Sequence, residues 1–371
     1  MSTNRRIWLK QSCLTIAGLA LANETILSAP VQLKKQFLPG KPIRLHANEN
    51  PYGPSPSARK AMEAAVISSN CYPWDMTTQL QDKLAIQYGL TNENILMGAG
   101  SSEILGLVAQ YAALQKGNAV AADPTFGSWF TTATKLGLEV IKVPLTADKK
   151  HDLHRMKEKI NSSTRLVYIC NPNNPTGTVL PVSELKGFIN DVSRNSIVLL
   201  DEAYTEYSDE TTLAVLVKEN PNLIIAKTFS KIYGLAGARI GYALAHTNTI
   251  NKLAELQPWA NAGTSAVSLA GAIATLDDQD FTKTSKAKNT AIKEDLYKLF
   301  TEYHISFIPS HTNFVYYSVK GQQKDFLAAL AENNIRAGRL TETKEMWTRI
   351  SIGTAEDMNK YSEILKQSFK S

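Results

Sequence analysis

At 371 residues, 43% of them hydrophobic, the chain carries enough apolar material for more than one core. Its net charge of +6 arises from 40 basic against 34 acidic residues, and no basic run interleaves with aromatics, so nucleic acid is excluded as an expected partner. The three cysteines form neither a disulfide framework nor a metal-ligand spacing, and no metal is expected.

The amino terminus reads separately from the rest. Asn4-Arg-Arg-Ile-Trp-Leu-Lys10 precedes the apolar run Cys13–Ala22, which is too short for a stable membrane span. The segment resembles a twin-arginine export signal, with Trp8 in the usual aromatic place and Asn4 where serine or threonine is commoner. The alternative is a frayed basic amphipathic arm. Residues 1–29 are therefore expected to be an export signal read by the twin-arginine machinery, cleaved after Ala22 or Ala29, which makes the product periplasmic or otherwise exported in a bacterium. Without those residues, which hold Arg5, Arg6, Lys10 and Glu24, the charge is +4.

Residues 30–45 are read as an arm joining a smaller domain, residues 46–262 as a large cofactor-binding domain and residues 263–371 as a small C-terminal domain. In the large part, short apolar runs alternate with helical stretches such as Glu184–Val192, the signature of a mainly parallel sheet covered on both faces. Ile95-Leu96 runs into Met97-Gly-Ala-Gly-Ser-Ser-Glu103, where glycines let amides approach an anion and a helix start adds a positive dipole end. Ala119-Val-Ala121 leads to Ala122-Asp-Pro-Thr-Phe126. His151 and His154 sit among Lys149, Lys150, Asp152 and Arg155 and read as a solvated charged face. Beyond Trp259–Gly263 the pattern changes to a long charged helix near Lys283–Glu302 and strands at Phe314–Val319 and Trp347–Ile352, an α+β arrangement.

Three further apolar runs end in chemistry. Leu166–Cys170 meets Asn171-Pro-Asn-Asn-Pro-Thr-Gly177, whose prolines stiffen the loop that holds Asn174. Ile197–Leu200 meets Asp201-Glu-Ala-Tyr204. Leu223–Ala226 meets Thr228-Phe-Ser-Lys231, followed by Arg239. Carboxyl ends of strands are where open α/β sheets bind ligands. An amine next to hydroxyls and an arginine is what pyridoxal phosphate chemistry requires, and a buried aspartate favours a protonated pyridine nitrogen by ~1–3 pKa units.

Asn, Asp-Tyr and Ser-Lys on three strand ends, in that order, resemble the class I and II aminotransferases, and the close spelling from about Arg44 onward resembles the histidinol-phosphate aminotransferase branch. The resemblance implies an aspartate-aminotransferase-like fold (pyridoxal phosphate fold type I), α/β, with the cofactor pyridoxal 5'-phosphate between a large mainly parallel α/β/α sheet domain and a smaller α+β domain. It makes Lys231 the Schiff-base lysine and proton carrier, puts Asp201 on the pyridine nitrogen, and puts Tyr204 with Asn174 on the phenolic oxygen. Ser230, Arg239, the Ser101 and Ser102 amides and, less directly, Thr228 fall to the phosphate, and Phe126 stacks on the ring. Tyr72 corresponds to a tyrosine that reaches the phosphate of a neighbouring subunit, implying a homodimer with shared active sites. Arg349, in Thr348-Arg-Ile-Ser-Ile-Gly353, is the expected clamp on the substrate α-carboxylate, and Asn174 is expected to bind substrate as well as cofactor.

The expected function is amino transfer between an amino acid, or amino-acid-like metabolite, and a 2-oxo acid by a ping-pong mechanism. A decarboxylase, lyase or racemase on the same fold is the alternative; a non-enzymatic regulator would need a DNA-binding domain for which there is no room. Histidinol-phosphate enzymes usually carry an arginine for the substrate phosphate where Ile335-Arg-Ala-Gly-Arg339 puts Gly338, so a different donor is expected, with Arg339 in its side-chain pocket.

Overall fold

The computed structural model describes residues 42–342 and 344–369. The expected export signal and most of the joining arm lie outside them. Twelve strands are present among the described residues: β1 (Ile43–Arg44), β2 (Ile95–Gly98), β3 (Gly117–Asp123), β4 (Leu138–Pro144), β5 (Thr164–Cys170), β6 (Ile197–Asp201), β7 (Leu223–Thr228), β8 (Gly241–Ala245), β9 (Phe307–Ile308), β10 (Phe314–Ser318), β11 (Ile335–Arg336) and β12 (Trp347–Ser351).

Seven of them form the central sheet in the order β2-β8-β7-β6-β5-β3-β4. Neighbours from β7 through β4 run parallel, and only β8 is antiparallel to its two partners. Continuous apolar runs such as Leu166–Cys170 suit strands covered on both faces, and helices cover them here. Because side chains alternate, Val167, Leu200 and Ile225 fill one core, whereas Leu166, Leu199 and Ile224 fill the other.

Register aligns the ends that matter. Cys170 is paired with Asp201, and Asp201 with Ala226, so β5, β6 and β7 finish side by side. Thr228 is paired with Gly241, which is paired with Gly98, so the end of β2 reaches the same edge through β8.

A second sheet, β12-β10-β9, is antiparallel and packs on the helices Gln279–Glu302 and Ala355–Ser368 around Phe300, Tyr317, Ile350 and Tyr361. The later helix opens with a reciprocal cap in which Thr354 and Asp357 satisfy each other's backbone amides. β1 pairs in parallel with β11, fastening residues 43–44 to this layer. The helix Ala266–Asp277, beyond the expected boundary at residue 262, packs Leu269, Ala272 and Leu276 into the core of the large sheet.

Candidate active site

A cavity of about 340 Å³ lies at the carboxyl edge of the central sheet. It is lined by Ser101, Ser102, Phe126, Asn174, Asp201, Tyr204, Thr228, Ser230, Lys231, Arg239 and Arg349, gathering eleven of the expected residues into one space.

One wall is built for an anion. Gly100, at φ 83°, ends the turn after β2 and starts the helix Ser101–Ala113, whose first amides have no partner within the helix. A Cβ at Gly100 would lie 2.5 Å from Arg239 Nη2, so only glycine lets the guanidinium approach this helix start. Arg239 is itself left-handed, at φ 56°, and its Nη1 and Nη2 donate to the carbonyls of Ala236 and Ala99 at 3.0 and 3.1 Å. Thr228 Oγ1 donates to Ser230 Oγ at 2.9 Å and accepts from the Ser230 amide, placing both hydroxyls at the end of β7.

The middle of the cavity carries opposite tuning of an acid and a base. Asp201 accepts from Tyr168 Oη at 2.9 Å and from the Ala203 amide at 3.2 Å, yet burial outweighs both and pushes its carboxyl up to about 6. Burial, with the positive charge of Arg349 second, pulls Lys231 down to about 8. A neutral amine is the nucleophilic form, so this environment suits attack on a carbonyl.

Tyr204 is held from two sides. Its hydroxyl accepts from Asn48 Nδ2 at 2.8 Å and from Asn174 Nδ2 at 3.3 Å, and burial raises its pKa. Asn48 is fixed in turn by Ser351 Oγ, which donates to its Oδ1 at 2.9 Å. Arg349 Nη1 donates to Asn174 Oδ1 and Nη2 to the His46 carbonyl, both at 2.6 Å, while its Nε has no partner among the described residues. The guanidinium sits 5.2 Å from the Phe314 ring centre.

Two expected residues lie elsewhere. Arg339 lines a second, outer chamber of about 730 Å³ that shares Phe126, Asn174 and Arg349 with the cavity and adds His46, Asp123 and Lys142. Tyr72 is 69% exposed and stacks on Trp74 at 5.2 Å, edge-on to Trp259 at 6.2 Å. Gly338 approaches the Arg349 carbonyl so closely that an added Cβ would lie 2.3 Å from it, so no side chain enters the chamber from that position.

One sequence expectation is corrected. His151 is buried, not part of a solvated face, because the helix starts only at Leu153, with Asp152 capping it, and leaves His151 in the entering segment. Among the described residues neither ring nitrogen has a hydrogen-bond partner, and burial pulls its pKa down to about 4. Two residues without a role in the sequence belong to the site: Asn48, which opens the Asn48–Pro56 segment similar to the family's, and Tyr168, inside an apolar strand. Cys170 also lines the cavity.

The donor set fits pyridoxal phosphate: helix-start amides, two hydroxyls and a guanidinium for the phosphate, a buried carboxylate for a ring cation, and an amine of lowered basicity. The family model for aminotransferase class I and II matches residues 40–365. A histidinol-phosphate aminotransferase of Macrococcus caseolyticus is 38% identical, covering 91% of this chain and 94% of its own. One of Brevibacillus brevis is 35% identical over 93% and 97%. The crystal structure of histidinol-phosphate aminotransferase from Sinorhizobium meliloti in complex with pyridoxal-5'-phosphate superposes with a TM-score of 0.80 at 27% identity, over 88% of this chain and 91% of that one. The chain belongs to the class I and II aminotransferases: it has the aspartate-aminotransferase-like fold and is a pyridoxal-phosphate-dependent transaminase.

Proposed function

We propose that the enzyme transfers the amino group of an α-amino acid bearing a second acidic group to a 2-oxo acid. The observation that carries this reading is the outer chamber, where Arg339 and Lys142 face a space continuous with Arg349 and, among the described residues, Asp123 is the one acid lining it. Bound pyridoxal phosphate supplies an electron sink for the charge left when the substrate α-proton departs.

The chain's own residues do the rest. Arg349, pinned by Asn174 and the His46 carbonyl, presents its edge to the α-carboxylate and orients the donor. Lys231, its basicity lowered by burial, takes and returns the α-proton. Asp201, its carboxyl raised by burial, would hold the cofactor's ring nitrogen and be ionised by its positive charge. Tyr204, Asn48 and Asn174 hold one polar cluster in place at the cavity wall.

The relatives carry histidinol-phosphate names, but Gly338 offers no side chain to a donor's phosphate here. The test is a screen of amino donors, histidinol phosphate among them, for a 2-oxo acid or ketone formed with stoichiometric amination of 2-oxoglutarate. Preference for acidic donors supports the reading; preference for histidinol phosphate or apolar donors overturns it, and loss of CO2 would favour a decarboxylase.

Homodimer formation and export belong to the same reading. The exposed cluster of Tyr72, Trp74 and Trp259 offers an apolar face for a second copy, tested by the mass in solution of the protein and of a Trp74→Glu variant. Residues 1–29, with Arg5 and Arg6, would direct export; replacing both arginines by lysine should retain a reporter fusion in the cytoplasm.

A further inference from the structure

A second lysine of the same strand lies outside the cavity. Lys227 follows Ala226, the register partner of Asp201, and alternation turns it to the face opposite Thr228. It is 2% exposed, and its ammonium reaches Glu202 Oε2 at 3.1 Å and Glu206 Oε1 at 2.9 Å. The Tyr88, Tyr233 and Tyr242 side chains are the other titratable groups around it, with Nζ 5.6 Å from the Tyr88 ring centre. Both carboxylates belong to the short turn that carries Tyr204. Glu202 is the residue after Asp201, its amide donates to the Ala226 carbonyl at 2.9 Å, and its carboxylate also accepts from Thr212 Oγ1 and the Leu213 amide.

Apolar packing does not explain a lysine here: its ammonium is buried against two carboxylates, and a methionine would fill similar space but leave the buried Glu202 without its cation. We infer that Lys227 is a positioning residue, which by holding Glu202 and Glu206 fixes the turn bearing Tyr204 against the strand that delivers Lys231. One ammonium against two carboxylates also leaves net negative charge behind Asp201, whose carboxyl Glu202 helps to raise. This role rests on the function proposed above.

The experiment uses enzyme reconstituted with pyridoxal phosphate and reads kcat, donor KM, melting temperature and the pH midpoint of the bound cofactor's visible absorption. Lys227→Met should lower kcat about tenfold or more while KM stays within about threefold, since the turn shifts but the carboxylate clamp does not. Its midpoint should rise by about 0.3 unit or more, because a positive charge has left; Glu206→Gln should move the midpoint down, because a negative one has. Lys227→Arg, able to span both carboxylates, should restore kcat to within about threefold. If Lys227→Met fails to fold, Glu206→Gln and Lys227→Arg decide. A lower melting temperature with unmoved kcat and midpoints would make the cluster a structural ion pair and overturn the inference. Absence of any cofactor band in the unaltered enzyme would instead strike the proposed function.

Discussion

The inner cavity and the outer chamber share Phe126, Asn174 and Arg349, yet they are made from different parts of the chain and constrain it differently. The cavity stands on the ends of β2, β5, β6 and β7, whose register fixes each side chain against its neighbour. The chamber takes Arg339 and Thr341 from the segment after β11, and Lys142 from β4 at the sheet edge. Rigid strand ends hold the reaction chemistry, while a connecting segment faces the part of a substrate that differs between donors. Disturbing the cavity should therefore damage every reaction, and disturbing the chamber should redistribute preference.

The largest expected effect is at Lys231. Lys231→Ala should abolish turnover, a loss of about 10⁴-fold or more in kcat/KM, and remove the pH-dependent visible band of bound cofactor. A variant that keeps a pH-dependent band would place the covalent amine elsewhere and break the assignment of the cavity.

Arg349 tests the seam between the two spaces. Arg349→Lys retains charge but cannot meet Asn174, the His46 carbonyl and a carboxylate at once, so all amino-acid donors should lose about 2–5 kcal/mol of transition-state stabilisation together. Measured kcat/KM for one neutral and one acidic donor checks this, and a loss confined to the acidic donor would move Arg349 from the α-carboxylate to the side-chain site.

His151 tests the segment against which the loop holding Asn174 is set, where Thr178 Oγ1 donates to the Lys149 carbonyl at 2.9 Å. Its folded-state pKa of about 4 lies below the ordinary 6.5, so between those values the unfolded chain binds more protons, and stability falls as pH falls. The contribution should approach about 3 kcal/mol by pH 4 and vanish above about pH 7. Denaturant unfolding at several pH values should show a shallower acid loss in His151→Gln than in the unaltered protein. Parallel curves would mean that His151 takes up its proton as readily in the fold as in the unfolded chain, through a partner gained on protonation.

Legibility in the sequence follows the same division. Asp201, Tyr204, Thr228, Ser230 and Lys231 stand out because each lies at or shortly beyond the end of a buried apolar run, a local pattern that survives without coordinates. The sheet's alternation with helices was legible for the same reason. Asn48 was not, because its partner Tyr204 lies 156 residues away and only the folded chain joins them. Tyr168 reads as one more apolar strand residue until its hydroxyl is seen against Asp201. His151 was misread because charged neighbours describe the surface on either side of it, not the interior into which the entering segment turns.

The smallest effect, and the sharpest for the comparison, belongs to Arg339. It lines the chamber and is absent from the lining of the inner cavity, so Arg339→Ala should leave the cofactor's absorption and the rate with a neutral donor within about twofold. An acidic donor loses one of the two cations that face its second negative group, with Lys142 remaining, and its kcat/KM should fall about tenfold. The remaining attraction should then depend on Lys142, which lies 3.5 Å from Asp123 and is already partly neutralised, so Lys142→Ala added to Arg339→Ala should lower the acidic donor further and the neutral one not at all. Equal losses for both donors in Arg339→Ala would mean that the chamber wall supports the cavity and selects nothing.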